Sequence, residues 1–209
     1  MNRTEHWENV YQNKPADRVG WYKPRLQSSL EWIGGLGLES DAPLIDVGGG
    51  ASTFVDDLLD NGLRAVTVLD MSASALEQSK SRLGNRANLV TWLVGDVTSV
   101  ELPRDHFELW HDRAAFHFLA TRNEQERYRD RLLAALKPGG HLVIGTFAPE
   151  APPTCSNLPV QRYDSVLLAE TLGDELELLR HHKEMHVTPS GVEQMYLYCL
   201  FRLCSQCHE

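Results

Sequence analysis

Basic residues are scarce in this chain of 209: 20 lysines and arginines stand against 29 aspartates and glutamates, a formal net charge of −9. Binding nucleic acid through its phosphates needs the opposite balance, so no nucleic-acid partner is expected. Apolar runs of membrane-spanning or signal-peptide length are missing, which predicts no membrane association and a cytoplasmic protein. Cysteine is rare, and Cys155, Cys199, Cys204 and Cys207 are too few and too clustered to form a disulfide framework; they are read as reduced thiols. Cys204 and Cys207, followed by His208, have the spacing of half a zinc site. One half-site supplies too few ligands, so no metal is expected. Internal repeats and low-complexity tracts are absent. A chain of this length buries one substantial core and is short for two, so a single domain over 1–209 is expected, as a monomer or homodimer.

What is present is an alternation of short apolar runs with helical segments, the pattern of a mostly parallel sheet covered on both faces. Strands are expected over residues 44–47, 65–69, 89–94, 107–111 and 141–147, and helices over 53–61, 74–83 and 123–136. Lys137-Pro138-Gly139-Gly140 ends the last of these, because proline cannot continue a helix and glycine can close one. The proline-rich segment 148–153 reads as a loop, 164–172 as a helix, and the two runs Leu176–Val187 and Glu193–Leu203 as an antiparallel pair. The expected fold is therefore α/β, doubly wound, with seven strands and an antiparallel pair at the C-terminal end. Residues 1–40 are assigned to a cap or lid, 41–147 to the ligand-binding core, and 148–209 to a substrate-side loop, helix and strand pair.

Chemistry concentrates where strands end. Leu44-Ile45-Asp46-Val47-Gly48-Gly49-Gly50 is a strand running into a glycine turn that opens a helix, a backbone able to approach a ligand closely. Asp70 ends the next strand about twenty residues on, where a carboxylate can accept both hydroxyls of a ribose. Asp96 follows the third strand. Like charges at one sheet edge repel, so three such carboxylates imply a ligand that uses them. The turn lacks the Lys-Ser/Thr ending of a P-loop, and Gly-Gly-Gly departs from the Gly-x-Gly-x-x-Gly of nicotinamide dehydrogenases.

Over residues 44–147 this set resembles the class I S-adenosylmethionine-dependent methyltransferases, in particular small bacterial single-domain members of thiol, sulfide or lysine type. The resemblance implies S-adenosylmethionine as cofactor and S-adenosylhomocysteine as product. It places Trp21, Asp46, Gly48, Gly50, Asp70, Met71, Asp96, Val97 and His111 around the cofactor, with Asp70 on the ribose and Asp96 facing the adenine amine. The position after the fourth strand faces the methyl group in that family, which assigns Asp112, Arg113 and His117 to catalysis. The alternatives for these three are a structural Asp112–Arg113 ion pair and a structural histidine. Trp7, Tyr11 and Tyr22 before the first strand, and Arg162, His182 and His186 late in the chain, are assigned to the acceptor. Aromatic faces there suit a sulfonium and exclude water, though packing of a helix is the alternative. Cys155, on the loop after the fifth strand, is read as a free thiol.

The expected reaction is methylation of a small nucleophilic acceptor, best a thiol or sulfide, because arginine and histidine at the pocket favour a thiolate. A protein-lysine methyltransferase using Asp112 to receive the lysine is the alternative. A non-catalytic cofactor-binding protein is a further one.

Overall fold

The computed structural model describes residues 2–204. Its centre is a seven-stranded sheet built from β1 (Leu44–Val47), β2 (Val66–Asp70), β3 (Val90–Val94), β4 (Phe107–Arg113), β5 (Leu136–Phe147), β8 (Leu176–Val187) and β9 (Glu193–Leu203). The order is β3-β2-β1-β4-β5-β9-β8, and only the pairings of β9 with β5 and β8 are antiparallel. The strand order reverses between β1 and β4, so the crevice at their carboxyl ends is the natural ligand position of an open α/β sheet. The expected fold is thus the observed one. A two-residue pair, β6 (Thr154–Cys155) with β7 (Leu158–Pro159), lies apart within the proline-rich loop region.

Six helices cover the sheet: α1 (Arg3–Asn13), α2 (Gln27–Gly34), α3 (Phe54–Asp60), α4 (Ala73–Leu83), α5 (Arg122–Ala135) and α6 (Ser165–Leu172). One apolar layer joins Trp32 and Ile33 of α2, Phe54 and Leu58 of α3 and Leu76 of α4 to the sheet. The other joins Tyr128 and Leu132 of α5 to Leu168 and Leu172 of α6. Every residue of β1 is buried, as a strand covered on both faces must be. Helix α5 begins with a capping box, Thr121 and Glu124 each satisfying the other's backbone N–H.

Two boundaries differ from expectation by more than one residue, and one matters. Strand β5 starts at Leu136, because Leu136 pairs with Phe107 across a bulge before the regular ladder resumes at His141. Strand β4 does not stop at His111: Asp112 pairs with Ile144 and Arg113 with Gly145, so both belong to the ladder. Side chains alternate along a strand, so His111 and Arg113 share one face and Asp112 points to the other.

On that other face Asp112 is fully buried. One carboxylate oxygen accepts the backbone N–H groups of Ala115 (3.1 Å) and Phe116 (3.2 Å), and the other accepts the Tyr128 hydroxyl at 2.9 Å. Tyr128 in turn accepts the indole N–H of Trp110 at 2.9 Å. Tyr128→Phe leaves Asp112 and Trp110 each short of one partner in the core. At about 1–3 kcal/mol per orphaned group, a loss of about 2–4 kcal/mol is expected in urea unfolding. A loss under about 0.5 kcal/mol would mean the chain of bonds is not a structural element.

Candidate active site

The turn after β1 is shaped so that backbone, not side chains, faces the crevice. Gly48 has φ +70°, and a Cβ there would lie 2.7 Å from the Cβ of Ala115. Gly50 has φ +38°, and a Cβ there would lie 2.7 Å from a carboxylate oxygen of Asp70. Any larger residue closes the crevice and strains the turn. A cleft of about 690 Å³ opens beside it.

This cleft brings together Trp7, Tyr11, Trp21, Gly48, Asp70, Met71, Asp96, Val97 and Arg113 from six separate stretches of chain. Asp70 is buried, with one carboxylate oxygen held by the Ser72 N–H at 2.8 Å. Burial, with Asp46 and Glu8 nearby, pushes its pKa up to about 7. Asp96 is anchored through one oxygen by the Thr98 N–H (2.9 Å) and hydroxyl (2.8 Å), and its other oxygen meets Arg3 at 3.3 Å. Arg3 also reaches Glu124 at 3.1 Å.

Helix α1 covers this cleft. Glu8 accepts the hydroxyls of Ser72 (2.8 Å) and Ser74 and the Ser74 N–H (3.2 Å), which binds α1 to the first turn of α4. These bonds hold the Glu8 carboxyl below its usual range. Trp7 meets Trp21 and Phe118 edge to face at 5.3 and 4.8 Å, and Tyr11 accepts the Trp21 indole N–H at 3.0 Å.

A second, smaller cleft of about 480 Å³ adjoins the first and is lined by Tyr22, Lys23, Asp46, the glycine turn and His111. Trp21 and Arg113 line both clefts. His111 joins Asp46 through Nδ1 at 2.6 Å and Ser29 through Nε2 at 2.9 Å, a buried relay that fixes the ring. Arg113 donates from Nε to the Tyr198 hydroxyl (2.9 Å) and from Nη1 to the Trp21 carbonyl (2.7 Å). Gly145 leaves room for this, since a Cβ there would press on the Tyr198 ring at 3.2 Å and on Arg113 at 3.3 Å.

Other expected site residues lie elsewhere. Asp112 is not in either cleft; its carboxylate holds the 115–116 turn from the opposite face of the sheet, and it forms no ion pair with Arg113. The acceptor role assigned to Asp112 is corrected accordingly: strand alternation turns it away. His117 lines neither cleft, is fully buried, and accepts the Phe147 N–H on Nδ1 at 3.1 Å. Arg162 donates to the carbonyls of Pro149 and Ala151 at 2.9 and 3.1 Å and so pins the proline-rich loop. His182 stacks on Tyr198 (5.5 Å, 4°) and meets Ser28 at 3.2 Å; His186 donates to the Gly20 carbonyl at 2.7 Å. Arg162 and His186 hold loops, His182 packs between α2 and β9, and none of the three lines the clefts. Cys155 is buried and its thiol pushed up to about 11. Cys207 and His208 lie outside the described residues. Sequence reasoning missed Arg3, Glu8 and Phe118, whose partners are distant in the chain and leave no local signal.

Residues 45–144 match the family model of a methyltransferase domain. That stretch resembles a methyltransferase domain, and the sheet around it has the fold of S-adenosylmethionine-dependent methyltransferases. It is 26% identical over 150 residues to the eEF1A lysine and N-terminal methyltransferase of Mus musculus, a match covering 69% of this chain and 21% of that protein. The chain therefore spans about a fifth of the length of the curated relatives matched first. Nodulation protein S of Rhizobium tropici is 28% identical over 131 residues, 63% of this chain and 50% of that one. Among solved structures, a chain from the conversion of a disulfide bond into a thioacetal group during echinomycin biosynthesis superposes with TM-score 0.80 at 17% identity, covering 99% of this chain and 94% of its own.

The clefts of this chain fit S-adenosylmethionine. The side-chain-free turn at Gly48 and Gly50 gives a backbone cradle, and Asp70 turns a carboxylate oxygen toward it. Asp70 would hold the ribose, Asp96 and Val97 would border the adenine, and Trp7 and Trp21 would cover the sulfonium. Only the ionised Asp70 accepts two hydroxyl donors, so binding is coupled to loss of its proton. Calorimetry is expected to show S-adenosylmethionine affinity falling about tenfold from about pH 8 to about pH 6. Asp70→Ala is expected to lose about a hundredfold in affinity and to abolish the pH step. Unchanged affinity in the variant would remove Asp70 from the cofactor site.

Proposed function

We propose that this methyltransferase acts as a single domain in the cytoplasm, as a monomer or homodimer, on a small anionic acceptor whose reacting group is best a thiol. One observation carries the proposal: Arg113, which lines both clefts, is hydrogen-bonded among the described residues only to neutral groups, the Tyr198 hydroxyl and the Trp21 carbonyl. Its guanidinium lies 4.5 Å over the Tyr196 ring. Guanidinium does not lose its proton in proteins, so a full positive charge faces the place where acceptor and methyl meet. Such a charge draws anions and favours the thiolate form of a thiol.

S-adenosylmethionine supplies an electrophilic methyl group on a sulfonium. The protein's task is then to align a nucleophile with it and exclude water. Trp7, Tyr11 and Trp21 close the cleft from the α1 side, and Arg113 draws the acceptor from the β4 side. A thiolate arrives deprotonated and needs no base. Asp112 serves as a positioning residue: by fixing the 115–116 turn it sets Ala115 against Gly48.

Relatives named for lysine methylation support an amine acceptor as the second reading. Arg113 opposes it, because a protonated amine meets like charge and Asp112 is not there to receive it. Incubation with methyl-labelled S-adenosylmethionine and either small thiols, small amines or protein lysate separates the two: label in the thiol is expected, and label confined to protein bands would overturn the thiol reading. Arg113→Met is expected to cut turnover at least about tenfold while S-adenosylmethionine affinity changes less than about threefold. The reverse pattern would place Arg113 in the cofactor site.

A further inference from the structure

Behind Arg113, on the same face of the sheet, three polar atoms are buried with no hydrogen-bond partner among the described residues: Arg113 Nη2, His117 Nε2 and the Tyr196 hydroxyl. They come from β4, from the turn at Phe116–Phe118 and from β9. The strand ladder brings them together, because Arg113 pairs with Gly145, and Gly145 and Phe147 pair with Tyr198 and Tyr196 on that face. The guanidinium sits over the Tyr196 ring, and the His117 and Tyr196 rings lie 6.3 Å apart, both against Phe147 at 4.5 and 5.1 Å. Buried polar groups are normally satisfied, so three orphans in one place ask for a ligand.

All three are donors. His117 accepts the Phe147 N–H on Nδ1, which puts the proton of the neutral ring on Nε2. Burial and the Arg113 charge hold its pKa down at about 3, so the ring stays neutral. Burial raises the Tyr196 hydroxyl above its ordinary value, so it keeps its proton. Glu184, the carboxylate on the neighbouring strand, is engaged by Lys23 and Ser28. A fork of guanidinium N–H with two neutral donors matches the two oxygens of a carboxylate.

We propose that Arg113, His117 and Tyr196 form an acceptor subsite that binds a carboxylate, so that the substrate is a small thiol-bearing acid. The carboxylate part rests on this geometry, and the thiol part on the proposed function above. The subsite fixes the acceptor by the end that does not react, and its sulfur is left for the cleft that Arg113 also lines.

The test uses the protein saturated with S-adenosylhomocysteine and a series of straight-chain alkanoates, which carry the carboxylate and no thiol, beside alkylamines of equal length. Calorimetry is expected to detect alkanoate binding and no amine binding. Tyr196→Phe removes a hydroxyl with no partner to lose, so the free variant is expected to unfold at the same temperature as the parent or higher. Its alkanoate affinity is expected to fall about tenfold, the worth of one hydrogen bond to a charged group. Alkanoates that do not bind, or bind Tyr196→Phe equally well, overturn the subsite. Turnover of 3-mercaptopropanoate is measured separately. Alkanoate binding without its methylation would overturn the thiol reading and leave the subsite standing; methylated neutral thiols without alkanoate binding would do the converse.

Discussion

The two-residue alternation at the carboxyl end of β4 is the constraint on which the site depends. Asp112 and Arg113 are adjacent and of opposite charge, yet the pleat sends them to opposite faces of one sheet. Asp112 goes into the layer beneath α5, where three groups consume its oxygens: the Ala115 and Phe116 N–H and the Tyr128 hydroxyl, itself held by Trp110. Arg113 goes to the cleft side with its charge free of any bonded carboxylate. Had the pair formed an ion pair, the cleft would be neutral there and the turn against Gly48 would lose its anchor.

Around that point the protein accumulates costs that a ligand relieves. Asp70 is kept near neutrality by burial and by the charges of Asp46 and Glu8. In the free protein this works against stability as pH rises through about 7, since a carboxyl with a raised pKa is more comfortable protonated. A ribose bringing two hydroxyl donors, as proposed for Asp70, would reverse the sign. The orphan donors of Arg113, His117 and Tyr196 stand in the same relation to an incoming acceptor.

The cover over the first place is held by few bonds. Helix α1 touches α4 through Glu8 on Ser72 and Ser74, and reaches the far wall through Arg3 on Asp96 and Glu124. These ties are partly exposed to water and individually modest, whereas the aromatic contacts among Trp7, Trp21 and Phe118 supply apolar area. The arrangement suits a lid that must exclude water and still release a product.

Much of this was legible in the sequence because it is written in local patterns. Alternating apolar runs and helices specify a doubly wound sheet, and Gly48 to Gly50 after an apolar run ending in Asp46-Val47 specifies a turn that backbone alone can line. The spacing to Asp70 and Asp96 places carboxylates at successive strand ends, and all of these but Gly50 line the clefts. What the tertiary structure decided are matters of face and of distant partners. Where β4 stops is set by its pairing with Ile144 and Gly145, and that two-residue difference turned Asp112 from the acceptor to the scaffold. Arg162, His182 and His186 are polar residues of the expected type, but carbonyls and rings far off in the chain claim them. Tyr196 carries no motif and becomes a candidate only because β9 lies antiparallel beside β5. Local sequence sets backbone geometry and which strand ends carry charge, while the side a residue faces and the partner that satisfies it follow from register, which is settled by strands that meet only in the folded sheet.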